Sequence, residues 1–329
     1  MVMRNMKAWV IRKAGGPEQF QLEDVASPGP RKGWALIRIR AFGLNRSEWF
    51  TRIGDSPTVK FPRVLGIECV GEIVDAGGLD LDRGATVAAI MGGMGRQFDG
   101  SYAEYTLVPH ECVFAIRTKL SWEKLAALPE MLQTTHGSLH VGLEIDRAES
   151  LLIRGGTSSI GMAALALAKH AGLKVGTTTR GSGKIDELKA AGADEVWVDN
   201  GEIHQQIEKE RGEPYDRVLE LIGASTLLDS LRCVGRGGIV CMTGILGGKW
   251  VLDDFHPMGD IPTAVKLTSY SGEAADLTPT QLQDYIGLVE NGELEVKTGP
   301  IFDFEELVEA HKLMDANQAG GKIVVRGKD

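Results

Sequence analysis

The chain has 329 residues, with 45 Asp and Glu against 36 Lys and Arg and a formal net charge of −9. That length suggests two domains and allows a sizeable core, while an acidic chain with no basic run is poorly suited to nucleic acid or an anionic membrane, both of which need clustered positive charge. The longest uncharged apolar run, Ile160 to Ala168, falls far short of a membrane span, and Met1–Met6 leads directly into a strand-like run, so the expectation is a soluble, cytoplasmic protein with no signal peptide.

The first third predicts short strands. Residues Ala35–Ala41 alternate, with Ile37, Ile39 and Ala41 on one face and Arg38 and Arg40 on the other. Similar runs at Lys7–Ile11, Cys69–Asp75, Ala85–Ile90 and Ser101–Val108 are bounded by Gly, Pro and Asp. They suggest a compact, barrel-like β domain. Helical patterns follow at Trp122–Leu128 and, beyond Pro129, at Leu132–Leu143.

From Ser150 a strand–helix rhythm sets in. A short strand at Leu151–Ile153 meets a Gly/Ser turn, and the next helix places Ile160, Ala163, Ala164, Leu167, Ala168 and Ala171 on one stripe. Strand Leu173–Thr178 and helix Lys184–Ala191, stopped by Gly192, come next, and Val196–Val198, Arg217–Leu221 and Ile239–Met242 continue the series. This alternation predicts a doubly wound parallel sheet. The chain closes with a helix (Pro279–Asn291), a strand near Leu294–Ile301, a helix (Phe304–Ala316) and a strand (Lys322–Arg326), an amphipathic stretch that fits a return to the first domain. The four cysteines, Cys69, Cys112, Cys233 and Cys241, show no CxxC and no close pair, and are expected as buried free thiols.

Glycine supplies 42 residues, well above the usual ~7%, and the informative ones follow Ile153. Gly155 and Gly156 precede Thr157, Ser158, Ser159, Ile160 and Gly161 at the start of the striped helix. The dinucleotide fingerprint G-x-G-x-x-G aligns as Gly156-x-Ser158-x-x-Gly161, with the first glycine for the tight turn and the last for close packing. Ser158 in the middle sets the diphosphate slightly farther out, within reach of the hydroxyls of Thr157, Ser158 and Ser159. The alternative is a glycine turn with helix-capping serines. An NAD site wants a carboxylate about 20 residues on, yet no Asp or Glu lies between Glu149 and Asp186. The second strand instead runs into Thr179, Arg180, Ser182 and Lys184, which suit a 2′-phosphate because a guanidinium fork matches phosphate oxygens. NADP is therefore expected over NAD, against a plain solvated basic turn.

Taken together, Ala41–Glu48, Pro62–Gly71, Gly100–Tyr105, the Gly155–Gly161 loop, Leu267–Tyr270, Ala310-His311 and Gly320–Val325 resemble the medium-chain dehydrogenase/reductase superfamily over essentially the whole chain. The closest likeness is to its zinc-free, quinone oxidoreductase-like branch. The resemblance implies an α/β fold in which a Rossmann domain (residues 126–265) is inserted into a GroES-like β-barrel domain (1–125 plus 266–329). It also implies a homodimer. Zinc relatives use a cysteine in the segment that here reads Gly43–Glu48, and a histidine where Ile67 stands in Gly66-Ile67-Glu68. Both ligands and the four-cysteine zinc lobe are gone, so no metal is expected.

Without a metal to polarise a carbonyl, a hydride site suits acceptors that are already electrophilic, and modest donors and orientation then suffice. The resemblance places the nicotinamide between Asn45 and Glu48 on one side and Thr134 on the other, with Gly244, Ile245 and Leu246 at its ribose. Trp49, Phe50 and Tyr270 would wall the acceptor pocket. Some relatives have a tyrosine where Phe50 stands, so that phenolic donor is missing here. His136, near Thr134, is a candidate donor, against the leading reading of a helix-surface or packed histidine. With His140 it is not an H-E-x-x-H pair, since Gly137 takes the Glu position. Glu68 reads as a structural carboxylate bonded to backbone or Arg, Tyr102 and Tyr105 as packing residues, and His311 as a packing or capping residue of an exposed-looking helix. The leading reading is an NADPH-dependent, metal-free oxidoreductase passing a hydride to a quinone or activated α,β-unsaturated carbonyl. The alternatives are a double-bond reductase for one specific enone, or an NADPH-binding redox sensor or structural protein with little turnover.

Overall fold

The computed structural model describes residues 5–328, so Met1–Arg4, part of the stretch read for a signal peptide, lie outside the described residues. Two compact units form. The first holds residues 5–133, 273–293 and 297–328, and the second holds 134–272 with 294–296. Residues 126–133 thus pack with the first unit and 266–272 with the second.

The first stretch carries β1 (Asn5–Ile11), β2 (Phe20–Ala26), β3 (Trp34–Gly43), β4 (Arg63–Val64), β5 (Glu68–Asp75), β6 (Thr86–Ile90), β7 (Tyr105–Pro109) and β8 (Val113–Ala115). Helices α1 (Arg46–Ile53), α2 (Trp122–Ala126) and α3 (Pro129–His136) accompany them. Strand β3 is the spine: β7 pairs with its first half, β5 runs along its middle, and the returning chain pairs with its end. Its alternation is as the sequence predicts, with Ile37, Ile39 and Ala41 buried and Arg38 and Arg40 half-buried. The strand expected over Ser101–Val108 pairs as β7 only from Tyr105. Upstream, Ser101 and Tyr102 donate their N–H groups to Gly66 O and Leu65 O instead. Gly66 at φ +103 permits that crossing, because a Cβ there would lie 2.2 Å from Ser101 Oγ.

The second unit is built on β9 (Ser150–Arg154), β10 (Lys174–Thr179), β11 (Glu195–Val198), β12 (Tyr215–Glu220), β13 (Val234–Met242) and β14 (Lys266–Ser269). All pair in parallel, in the order β11-β10-β9-β12-β13-β14. The order reverses between β9 and β12, the switch point at which nucleotide crevices form. Helices α4 (Ser159–His170), α5 (Ile185–Ala190), α6 (His204–Glu210), α7 (Ala224–Arg232) and α8 (Pro257–Asp260) make the connections. The α4 stripe buries Ala163, Ala164, Leu167 and Ala168 and adds Leu165, whereas Ile160 is half-buried and Ala171 exposed at the two ends. Helix α3 continues as a π-helical turn over Gly137–Gly142. Glycine is required on that face: a Cβ at Gly137 would meet the Tyr270 hydroxyl at 1.9 Å, and one at Gly142 the Cys241 Sγ at 2.4 Å.

The chain returns to the first unit with α9 (Pro279–Asn291), β15 (Thr298–Phe302), α10 (Leu307–Asp315) and β16 (Lys322–Arg326). Thr278 caps α9 in a reciprocal capping box with Gln281. His311 packs, one of the two roles expected of it, but its face of the helix is not exposed. Helix α10 buries it fully, 4.6 Å from the Phe20 ring and sharing a 3.2 Å hydrogen bond with the Tyr102 hydroxyl. All four cysteines are free and buried. Among the described residues no helix is long and apolar enough to cross a membrane.

Candidate active site

In the second unit the loop after β9 is shaped by glycines that cannot be replaced in place. Gly155 has φ +97. A Cβ on Gly156 would sit 1.6 Å from Thr177 Oγ1, and one on Gly161 would sit 2.4 Å from Gly155 O. Ser158 is the N-cap of α4: its hydroxyl donates to Gly155 O at 2.8 Å and accepts from Gly161 N at 3.0 Å. Its proton is thus committed, which corrects the expectation of Ser158 as a free donor to phosphate. Thr157 is exposed and Ser159 half-buried. The amides of Ser159 and Ile160 lie in the first helical turn, where no intrahelical acceptor exists. The loop therefore fits a diphosphate: bare backbone, free N–H groups and the positive end of a twelve-residue helix.

At the end of β10 the Thr179 hydroxyl donates to Gly181 O at 3.1 Å, while Arg180 and Ser182 are exposed and Arg180 makes no ion pair among the described residues. Lys184 pairs with Glu187 at 2.5 Å. The carboxylate beside this edge, Asp199 after β11, is already held by Arg154 through bonds of 2.8 and 2.9 Å. Gly244 follows β13 and donates to Glu220 O at 3.1 Å, packed so closely that a Cβ would lie 2.6 Å from Leu221 O. Beyond it Ile245 is half-buried and Leu246 is 40% exposed.

Arg154 itself carries more of this site than its place in the loop suggests. It is fully buried and also donates to Asp229 at 2.6 Å, Ser230 Oγ at 3.1 Å and the carbonyls of Thr226 and Gly201. Burial alone would lower the guanidinium pKa, but Asp199, Glu220 and Asp229 more than offset it and the charge is retained. These five partners lie 45 to 76 residues away, so sequence spacing holds no sign of them.

In the first unit Asn45, Glu48, Glu68, Glu130 and Lys322 form a buried polar cluster. Asn45 Nδ2 donates to Glu48 Oε1 at 3.2 Å and Glu68 Oε1 at 3.1 Å, and its Oδ1 accepts from Lys322. Glu48 Oε1 also accepts from Ile67 N at 3.1 Å, while Glu48 Oε2 is buried with no hydrogen-bond partner. Burial pushes the Glu48 carboxyl up to about 7, against the pull of Ile67 N–H, Lys322 and Asn45. Glu48 can therefore hold a proton near neutral pH. Glu68 Oε2 accepts from Glu130 N at 2.9 Å, and its charged partner is Lys322 rather than an arginine.

Trp49 and Phe50 are half-buried on α1, edge to face at 4.9 Å, and the Arg46 guanidinium lies 4.9 Å from the Trp49 ring. Tyr270 belongs to the second unit, where its phenol packs buried on Gly137. Thr134 is half-buried and its carbonyl accepts from Ser138 Oγ at 2.7 Å. His136 is buried with its ring 4.4 Å from that of His140. Among the described residues no group of three or more His, Cys, Asp or Glu is arranged to hold a metal ion.

Comparison with known proteins agrees with this architecture. The family described as Alcohol dehydrogenase GroES-like domain matches residues 31–118, and that described as Zinc-binding dehydrogenase matches 191–325. A quinone oxidoreductase of Pongo abelii is 29% identical over 336 residues, covering 97% of each chain. The chloroplastic NADPH-dependent alkenal/one oxidoreductase of Arabidopsis thaliana is 28% identical, covering 98% of this chain and 80% of that one. The quinone oxidoreductase structure from Coxiella burnetii superposes with a TM-score of 0.83 at 25% identity, over 99% of this chain and 100% of that one. The chain belongs to the medium-chain dehydrogenase/reductase superfamily, in its quinone oxidoreductase-like branch, and is an oxidoreductase of that type.

Proposed function

We propose that the enzyme is an NADPH-dependent, metal-free reductase of quinones or activated α,β-unsaturated carbonyls. The observation that carries the cofactor choice is the end of β10, where Arg180 is exposed and unpaired while the adjacent Asp199 is bound to Arg154. Arg180, with Ser182 and Lys184, grips a 2′-phosphate; the backbone of Gly155, Gly156 and Thr157 and the N–H groups opening α4 receive the diphosphate; Gly244–Leu246 lies along the nicotinamide ribose. When bound, the cofactor supplies a hydride from its nicotinamide ring. Asn45 and Glu48 are the first unit's reaction residues, where the Trp49–Phe50 pair offers a flat acceptor an aromatic surface, and Thr134 is the second unit's nicotinamide residue. Metal independence rests on the donor set, since Ile67 offers no ligand atom and the Asn45 oxygen is taken by the Lys322 ammonium.

The alkenal/one relative supports the enone as a second substrate class beside the quinone. A homodimer, formed along the open β14 edge of the parallel sheet, and a cytoplasmic location complete the proposal. Steady-state NADPH consumption with chelator present tests it, using 1,4-naphthoquinone and a short enone as acceptors. Turnover on either supports the proposal, and the faster acceptor identifies the class. Tight NADPH binding without turnover on both would refute the reductase reading in favour of a cofactor-binding sensor.

A further inference from the structure

Among the described residues Lys322 is the only buried lysine, at 3% exposure, and the proposed reaction does not use it. Three oxygens surround its ammonium: Asn45 Oδ1 and Glu130 Oε2, the latter at 2.8 Å, accept hydrogen bonds from it, and Glu68 Oε1 forms an ion pair with it at 2.7 Å. The three come from the turn before α1, from β5 and from α3, far apart in sequence. A buried ammonium is strongly unfavourable unless paired and hydrogen-bonded, and here two carboxylates pair with it while the amide and one carboxylate accept its hydrogen bonds. The space is fitted to the stem as well. A Cβ on Gly43 would stand 2.6 Å from Lys322 Cε and 2.4 Å from Glu68 Oε1.

The lysine also dictates which way the Asn45 amide faces. With Oδ1 toward the ammonium, Nδ2 meets Glu48 and Glu68. The flipped amide would set donors against the ammonium and an oxygen against two carboxylates.

We propose that Lys322 is a built-in cation filling a three-oxygen cage, that it is a positioning residue which fixes Asn45 and through it the Glu48 carboxyl, and that shortening it leaves a site for a small primary ammonium ion. The positioning part rests on the reading of Asn45 and Glu48 as part of the reaction site; the cage does not.

The test compares wild type, Lys322→Ala and Lys322→Met by thermal unfolding, NADPH affinity and quinone turnover. Each is measured with methylammonium, ethylammonium or tetramethylammonium chloride at fixed ionic strength. Lys322→Ala should lower Tm by about 5–10 °C and turnover at least tenfold, with NADPH affinity unchanged. Methyl- or ethylammonium should restore half or more of the Tm loss and part of the turnover; tetramethylammonium, which has no N–H, should restore neither. Lys322→Met fills the space without charge and should stay impaired and unrescued. The cage is overturned if the primary amines do no more than the salt control, or if Lys322→Met matches wild type in Tm. Recovery of Tm without any recovery of turnover overturns the positioning role alone. If Lys322→Ala does not fold, the Lys322→Met loss is measured with and without Glu130→Gln. It should shrink when residue 130 is neutral, and an equal loss in both backgrounds overturns the cage. Absence of turnover in wild type refutes the functional reading, while the Tm comparison still decides the cage.

Discussion

Replacing Glu48 by glutamine probes the electrostatics of the first unit through a measurable pH dependence. The Glu48 carboxyl is buried at 1% exposure and moves from an ordinary 4.5 to about 7. That gap corresponds to roughly 3 kcal/mol between the two protonation states. Because the folded state holds this proton more tightly than the unfolded chain, the associated stability is fully present below about 4.5 and is lost progressively as pH rises to about 7. Glutamine cannot ionise. Its oxygen can still accept from Ile67 N and Asn45 Nδ2, but its NH2 group falls where Glu48 Oε2 has no partner, at a cost of about 1–3 kcal/mol. Glu48→Gln should therefore be less stable than wild type at pH 5, with the difference closing or reversing by roughly 3 kcal/mol at pH 8. Urea unfolding of both proteins at pH 5, 6, 7 and 8 measures it. A stability difference that stays constant across that range would mean that the Glu48 carboxyl is not held protonated by the fold.

Two further substitutions test the second unit. Arg154→Met leaves the buried Asp229 and the half-buried Asp199 without the Arg154 charge and should destabilise by about 3–5 kcal/mol, read as a lower urea midpoint; a wild-type midpoint would contradict the buried network. Gly156→Ala forces a methyl group against Thr177 Oγ1, and should weaken NADPH binding by roughly tenfold or more and destabilise the fold by about 1–3 kcal/mol. Adding Thr177→Ala should recover much of both losses, and no recovery would mean that the loop is shaped by something other than this contact.

What could be read from the sequence was what is local. Helix α9 and strand β16 appear with the bounds that their periodicity and caps predict. The parallel sheet follows from the strand–helix rhythm between 150 and 242, because each buried strand and striped helix declares itself over a few residues. Strand β2 and helix α7 left no such mark: β2 breaks its alternation at Glu23-Asp24 on a sheet edge, and α7 buries Asp229 and Ser230 along with Leu227 and Leu231. The loop glycines were legible because a fingerprint fixes their spacing, but the Ser158 hydroxyl could be assigned to the helix cap only from its bonds. Arg154 and Lys322 were visible as letters without roles, since their partners lie up to 277 residues away. His311 could be read as packing or capping but not given its partners, since Phe20 and Tyr102 lie far from it in sequence.

Selection of NADPH by the basic turn after β10 is tested by paired titrations of wild type and Arg180→Ala with NADPH and NADH. Wild type should bind NADPH far more tightly than NADH. Arg180→Ala should lose about 1.5–3 kcal/mol of NADPH binding, roughly a tenfold to 150-fold rise in Kd, with NADH affinity unchanged. Equal affinity of wild type for the two cofactors, or an NADPH affinity untouched by Arg180→Ala, would contradict it and leave Arg180 as a solvated residue of a surface turn.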